Sequence, residues 1–196
     1  MAASRALGAA AWETVAAAGH ATCAEADLEA ALWHLTGAAL AATGDPDAPA
    51  RPGGLKPGER PIFVSGVYLV APGAGHQILV AEHGFPAGQH HMALPIDSGY
   101  PGRVFRRRQA CILPNTDDHA DFTQILKTAR MGSSMYAPML CQGEMVGQVI
   151  AAAQARHTYA DVDLAVMGVL AGLAAALYAA MDGASLVADL HRQLGL

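Results

Sequence analysis

Apolar residues along the chain follow first one period and then another. Residues 7–42 are Ala-rich and read as two helices broken near Gly19-His20, and in the second Leu28, Leu32, Leu35 and Ala39 recur at helical spacing. Thr22 with Glu25 three residues later resembles a capping box, which predicts the start of that second helix. Residues 44–61 hold five prolines and four glycines, a density that no helix or central strand survives, so they read as a long loop. From residue 62 the period changes. Residues 62–70 and 76–82 are β-rich and flank the turn material of residues 71–75, which predicts a hairpin.

A mixed stretch over 84–98 leads to Gly99-Tyr100-Pro101-Gly102 and a short helix over the RVFRRRQ run, then to a short strand over 110–114 that ends at Pro114. A polar loop follows over 115–121, then a short helical stretch over 122–130. Two strands, 134–140 and 145–152, meet at the turn Cys141-Gln142-Gly143-Glu144. The last helix opens near Asp161, where Asp161 and Asp163 suit the positive end of the helix dipole. This order predicts an α+β domain on an antiparallel sheet.

Between Asp163 and Asp182 run eighteen uncharged, mostly apolar residues that carry Gly168 and Gly172 at GxxxG spacing. They are dominated by weakly hydrophobic Ala and Gly and lack a flanking basic cluster or paired aromatic belts, so the expectation is a buried helix and no membrane span. Gly168, Ala171, Gly172 and Ala175 read as one small-residue face that meets the sheet or the same helix of a second subunit. The 196 residues carry a net charge of −5, which excludes a general nucleic-acid surface. Cys23, Cys111 and Cys141 form neither a disulfide framework nor a zinc motif. The first fifteen residues lack the apolar core of a secretory signal, so a cytoplasmic protein is expected.

The middle and C-terminal parts resemble the GAF domain family. The resemblance rests on Asp97-Ser98-Gly99-Tyr100-Pro101-Gly102-Arg103-Val104, on the strand 110–114 with the acidic loop at Asp117-Asp118, and on Tyr136-Ala137-Pro138 leading through Gly143 to Val146-Gly147. Thr158-Tyr159-Ala160-Asp161 adds the aromatic-then-Asp entry to a last helix. It spans 22–182, leaving 1–21 as a helical extension and 183–196 as a tail. The resemblance implies five or six antiparallel strands, terminal helices packed on one face, a loop-covered pocket on the other, and a homodimer formed through the first and last helices. It further implies a stand-alone sensory module that binds a small molecule and signals through a partner protein or its own dimer.

Free methionine-R-sulfoxide reductases of this family place cysteines where this chain has Tyr100-Pro101-Gly102-Arg103 and Asp117-Asp118-His119-Ala120-Asp121, which argues against that activity. The cyclic-nucleotide pattern is present only as Asn115 and Phe122, and Cys111 and His119 are not the adjacent pair expected for a bilin. No hydrolase, zincin, phosphate-loop or dinucleotide motif occurs. Gly99 to Gly102 with Arg103 and Arg106 suit an anion, whereas Arg106-Arg107-Arg108 reads as a solvated face. The expected ligand-lining residues are Tyr68, His83, His91, Tyr100, Cys111, Asn115, Asp118, Phe122, Met135 and Tyr136. No cofactor or metal is required. The metal candidates are His83, His91 and His119, and adjacent His90-His91 would point opposite ways on a strand, so only one would reach a shared ion. The alternative function is a small redox or metal-assisted enzyme using Cys111 and these histidines.

Overall fold

A computed structural model of the chain describes residues 8–73, 75–127 and 129–196. The first seven residues of the expected helical extension lie outside that range. Helix α1 (Ala9–Thr22) and helix α2 (Leu28–Ala42) form an antiparallel pair. The break falls at 23–27 rather than at Gly19, and Asp27, not Thr22, caps α2, its carboxylate accepting a hydrogen bond from the Ala30 amide at 2.9 Å. Thr22 is turned inward and bonds the Gly19 carbonyl at 2.7 Å instead.

Among the described residues six strands pair, all antiparallel, in the order β3-β2-β1-β6-β5-β4. They are β1 (Phe63–Val70), β2 (His76–His83), β3 (Ala93–Pro95), β4 (Cys111–Leu113), β5 (Ser133–Cys141) and β6 (Glu144–Ala153). Gln142 and Gly143 both hold positive φ, 51° and 83°, so β5 and β6 join through the tight turn whose twist matches paired strands. Helix α3 (Gly99–Arg107) covers the far face, and its third turn ends at Arg108 in the left-handed conformation. A Cβ on Gly102 would stand 2.3 Å from the Asp97 carbonyl carbon, so only glycine lets α3 start this close to the chain that precedes it.

Helix α4 (Asp161–Ala180) and helices α1 and α2 share the other face, where Leu32, Leu35, Val67, Leu69, Met135, Val149, Met167 and Leu170 form one continuous core. Each such side chain contributes about 1.5–3 kcal/mol by leaving water. The Asp163 carboxylate, fully buried, accepts from the Ala160 amide that starts α4 and from the Gly44 amide that starts the long loop, both at 2.9 Å. The expected tail carries a further helix, α5 (Gly183–Gln193), which sends Val187 and Leu190 into the same core.

Two expectations are corrected. None of the described residues over 122–130 is helical. Their backbone groups are taken by side chains: Gln124 bonds the Leu126 and Ala129 carbonyls and the Met131 amide, while fully buried Gln89 bonds the Ile125 carbonyl at 3.0 Å and the Lys127 amide at 2.8 Å. Nor does the stripe Gly168, Ala171, Gly172 and Ala175 meet the sheet as a whole: it runs along the edge of the buried side of α4. Ala171 and Ala175 are buried in the core, whereas a Cβ on either glycine would meet nothing within 4 Å. Helix α4 is long and apolar enough to cross a membrane, and its inner side is the core of this sheet.

Candidate functional site

Strand alternation sorts the site. On the face away from α2 and α4, β1 presents Tyr68, β5 presents Tyr136 and β6 presents Gln148 and Ile150; Tyr68 pairs with Gln148, and Tyr136 with both Ile150 and Cys111. Helix α3 lays Tyr100 over this face, its ring stacked on Tyr136 at 6.3 Å between centroids and 20° between planes. The Tyr100 hydroxyl accepts from the Arg103 guanidinium at 3.0 Å and shares a 2.8 Å hydrogen bond with His119 Nδ1. Arg103 reaches towards Asp121 at 3.6 Å. Arg103 and Arg107, one turn apart, line a cavity of about 210 Å³ with Tyr100, Cys111, Leu113 and His119. Arg106 and Arg108 turn elsewhere, to the Asp97 carbonyl and to Glu144.

This face buries polar atoms that the protein itself does not satisfy. The Tyr68 hydroxyl and the Gln148 Oε1 have no hydrogen-bond partner among the described residues. Gln148 donates its amide to Gln77 and to the Pro101 carbonyl, so its other end points into the layer under α3. Burial pushes the Tyr68 and Tyr136 hydroxyls far above the ordinary phenol range, so both remain protonated donors. Burial also raises the Cys111 thiol, against the opposing pull of Arg103 and Arg107, which leaves it a neutral thiol and a weak nucleophile near neutral pH. Tyr100 is raised by burial and by Asp121, with Arg103 opposing.

The structure therefore brings Tyr68, Tyr100, Cys111, Tyr136 and His119 to one layer, with Phe122 beside it over a water-sized crevice of about 30 Å³. It separates the others. Met135 neighbours Tyr136 in sequence and so must face the opposite side, where it is fully buried against the helices. His83 also faces α2: its Nδ1 bonds Thr36 Oγ1 at 2.9 Å and its ring meets Trp33 edge-on at 5.1 Å. Burial lowers its pKa against the opposing charge of Glu82. His91 leaves the layer for Glu29, at 2.9 Å. Asn115 caps the turn over 116–118 by accepting from the Asp117 amide at 3.1 Å, and Asp118 is exposed. The metal candidates His83, His91 and His119 thus sit on Thr36, Glu29 and Tyr100 and share no site.

Arg107 was not among the expected lining residues. Its signal was the four-residue spacing from Arg103, hidden inside a run of three arginines. The neighbouring Asp117 holds the loop down through Lys56 at 2.7 Å, Arg156 at 3.0 Å and Arg130 at 3.3 Å, and Arg156, 3% exposed, clasps Glu59 with both nitrogens. The Lys56 hydrogen bond, with Arg156 adding to it against burial, holds the Asp117 carboxyl down at about 2.

The sequence pattern of the GAF domain family matches residues 61–177, three-fifths of the chain and all of its sheet. The chain belongs to the GAF domain family. Solved structures agree on the fold. The GAF domain of an Acinetobacter phosphoenolpyruvate-protein phosphotransferase is 14% identical with a TM-score of 0.72, over 90% of this chain and 96% of that one. The free methionine-R-sulfoxide reductase of Neisseria meningitidis, in complex with its substrate, is 18% identical with a TM-score of 0.71, over 93% and 96%. The chromophore-binding domain of a bacteriophytochrome from R. palustris is 12% identical with a TM-score of 0.63, over 89% and 62%. No curated protein matches the chain. In this GAF domain the family match begins only after α1 and α2, so Glu29 and Trp33, both on α2, stand outside it.

Proposed function

We propose that this GAF domain is a sensory module that binds a small anionic molecule between α3, β4 and the 115–121 loop. The observation that carries this reading is the pair Arg103 and Arg107 facing one cavity with the Tyr100–His119 hydrogen bond as its wall. The planar fork of each guanidinium matches the oxygens of a carboxylate or phosphate, and two such forks one helical turn apart place two positive charges at one cavity. The cavity is smaller than the 300–1,000 Å³ typical of drug-sized ligands, so the ligand is a small metabolite. A neutral Cys111 favours binding over thiol-based turnover.

Thermal unfolding in a panel of small mono- and dicarboxylates and inorganic phosphate tests it. At least one compound raises Tm, and Arg103→Ala with Arg107→Ala weakens that compound at least tenfold. No stabilisation by any compound, or equal binding by the double variant, contradicts it.

Occupancy reaches a partner protein or a second copy of this chain through the outer side of α1 and α4. Trp12, Val169 and Leu173 are 44%, 42% and 36% exposed there, beside the open notches of Gly168 and Gly172. A helix row of this kind is self-complementary, and a second copy would cover it. Sedimentation shows a dimer that Leu173→Glu converts to a monomer; a monomeric wild type contradicts the homodimer. Three free cysteines suit a reducing, cytoplasmic setting.

A further inference from the structure

The 84–92 segment runs along the edge of β2, its His91 amide bonded to the Leu79 carbonyl at 3.0 Å and the Leu79 amide to the Met92 carbonyl at 3.0 Å. His90 ends a single turn over Ala87–Gln89, and His91 follows with φ at 56°, the left-handed region that a histidine adopts only at a cost of about 1–3 kcal/mol. That backbone turn changes what the sequence implied. On a strand the two rings would point apart, but here they stack at 3.8 Å between centroids and 31° between planes, and both Nε2 atoms face one carboxylate. Glu29, on the first turn of α2 and 62 residues away from His91, stands 3.2 Å from His90 Nε2 and 2.9 Å from His91 Nε2.

We infer that Glu29, His90 and His91 form a binding site for a divalent transition metal ion, with Glu82 orienting His90 from behind.

Three features support the site. First, Glu82, 5% exposed, lies 2.9 Å from His90 Nδ1. A carboxylate only accepts, so that ring nitrogen carries its proton and the Nε2 of a neutral His90 presents a lone pair. This is the carboxylate–histidine arrangement that fixes the tautomer of a metal-ligating imidazole. Second, the two imidazoles and the carboxylate converge although they come from separate elements: His90 Nε2 and His91 Nε2 each approach one Glu29 oxygen, and one ligand atom from each of the three residues lies within 4.8 Å of the others. Third, two ligands at about 2.0–2.1 Å from a tetrahedral ion lie about 3.3 Å apart, and ligand atoms already within 4.8 Å of one another reach that spacing by side-chain rotation, without movement of the backbone. Two imidazoles and one carboxylate suit zinc, iron, nickel or copper over calcium or magnesium. Three protein ligands leave a further position for water or a small ligand, and His90 and Glu82 also border a cleft of about 490 Å³ shared with Trp33, His83, Phe85 and Ala87. The site is separate from the cavity under α3 and stands independently of the function proposed for it.

The experiment uses the full chain, stripped with chelator and titrated with Zn²⁺ by calorimetry and with Co²⁺ by visible absorption. One equivalent binds, and the cobalt spectrum shows nitrogen and oxygen ligation without a thiolate charge-transfer band. Glu29→Gln and His91→Asn each weaken binding at least tenfold; asparagine tolerates the left-handed backbone, which keeps the loop intact. Glu82→Gln, behind the ligand, also weakens binding, by about tenfold, without changing the stoichiometry. Binding of less than one equivalent, a thiolate band, or unchanged affinity in both Glu29→Gln and His91→Asn overturns the site.

Discussion

The two faces of the sheet are built from alternate residues of the same strands and obey different rules. On the helical face Val67, Leu69, Met135, Ala137 and Val149 meet α2 and α4 in one apolar core, and among the described residues the polar atom without a partner on that side, His76 Nδ1, sits at the end of β2 beside His191 of α5. On the far face the interleaved positions are Tyr68, Tyr136, Gln148 and, from β2, Gln77, and two of their polar atoms lack partners. A buried hydroxyl without a partner costs about 1–3 kcal/mol, so a face optimised for stability alone would not keep it. The difference teaches that one face holds the domain together and the other is arranged to meet something.

The contrast can be broken from the stability side first. Leu170→Ala, in the centre of α4 and fully buried, removes side-chain volume from a packed core and lowers stability by about 2–5 kcal/mol in urea unfolding. A loss below about 1 kcal/mol would mean that the helical face is not the main source of stability. At the rim of the other face, Asp117 carries a folded-state pKa of about 2 against an ordinary value near 3.8. A depressed carboxylate stabilises the fold above its unfolded pKa, and this contribution is lost as pH falls from about 4 to about 2. Solvent screening limits the effect to about 1 kcal/mol, and Asp117→Asn removes that part of the acid sensitivity. An unchanged pH profile in the variant would remove Asp117 from the account. The smallest effect sharpens the comparison most. Tyr68→Phe deletes the orphaned hydroxyl at constant shape, so stability stays level or rises by up to about 1 kcal/mol in urea unfolding. Clear destabilisation would mean that the hydroxyl is satisfied in solution and that this face differs less from the helical one.

The sheet was legible in the sequence because apolar runs such as those of β1 and β2 end at glycine or proline, and because the Gly143 turn demands a hairpin. The same reading misassigned Met135 to the pocket: choosing Tyr136 for one face places its neighbour on the other, and period two alone would have decided it. The helix expected over 122–130 failed for a reason that no local pattern carries, since Gln89, 36 residues from Ile125, supplies the hydrogen bonds that a helix would have made for itself. His90-His91 defeated sequence reasoning in the same way. A single left-handed residue reversed the inference from strand geometry, and the carboxylate that both rings meet comes from α2. The sequence pointed to Arg103 with Arg106 and left Arg107 in a solvated face; Arg107 lines the cavity instead, because which members of the arginine run face the sheet depends on how Gly102 lets α3 dock.

The most direct measurement is the amide chemical-shift map of the full chain titrated with succinate or inorganic phosphate. The account predicts perturbations clustered on residues 99–113 and 115–121, with the Arg103 and Arg107 side-chain signals among them, and quiet amides through α2 and α4. Perturbations confined to the helical face, or none in either titration, would contradict the claim that the far face of the sheet is the binding face.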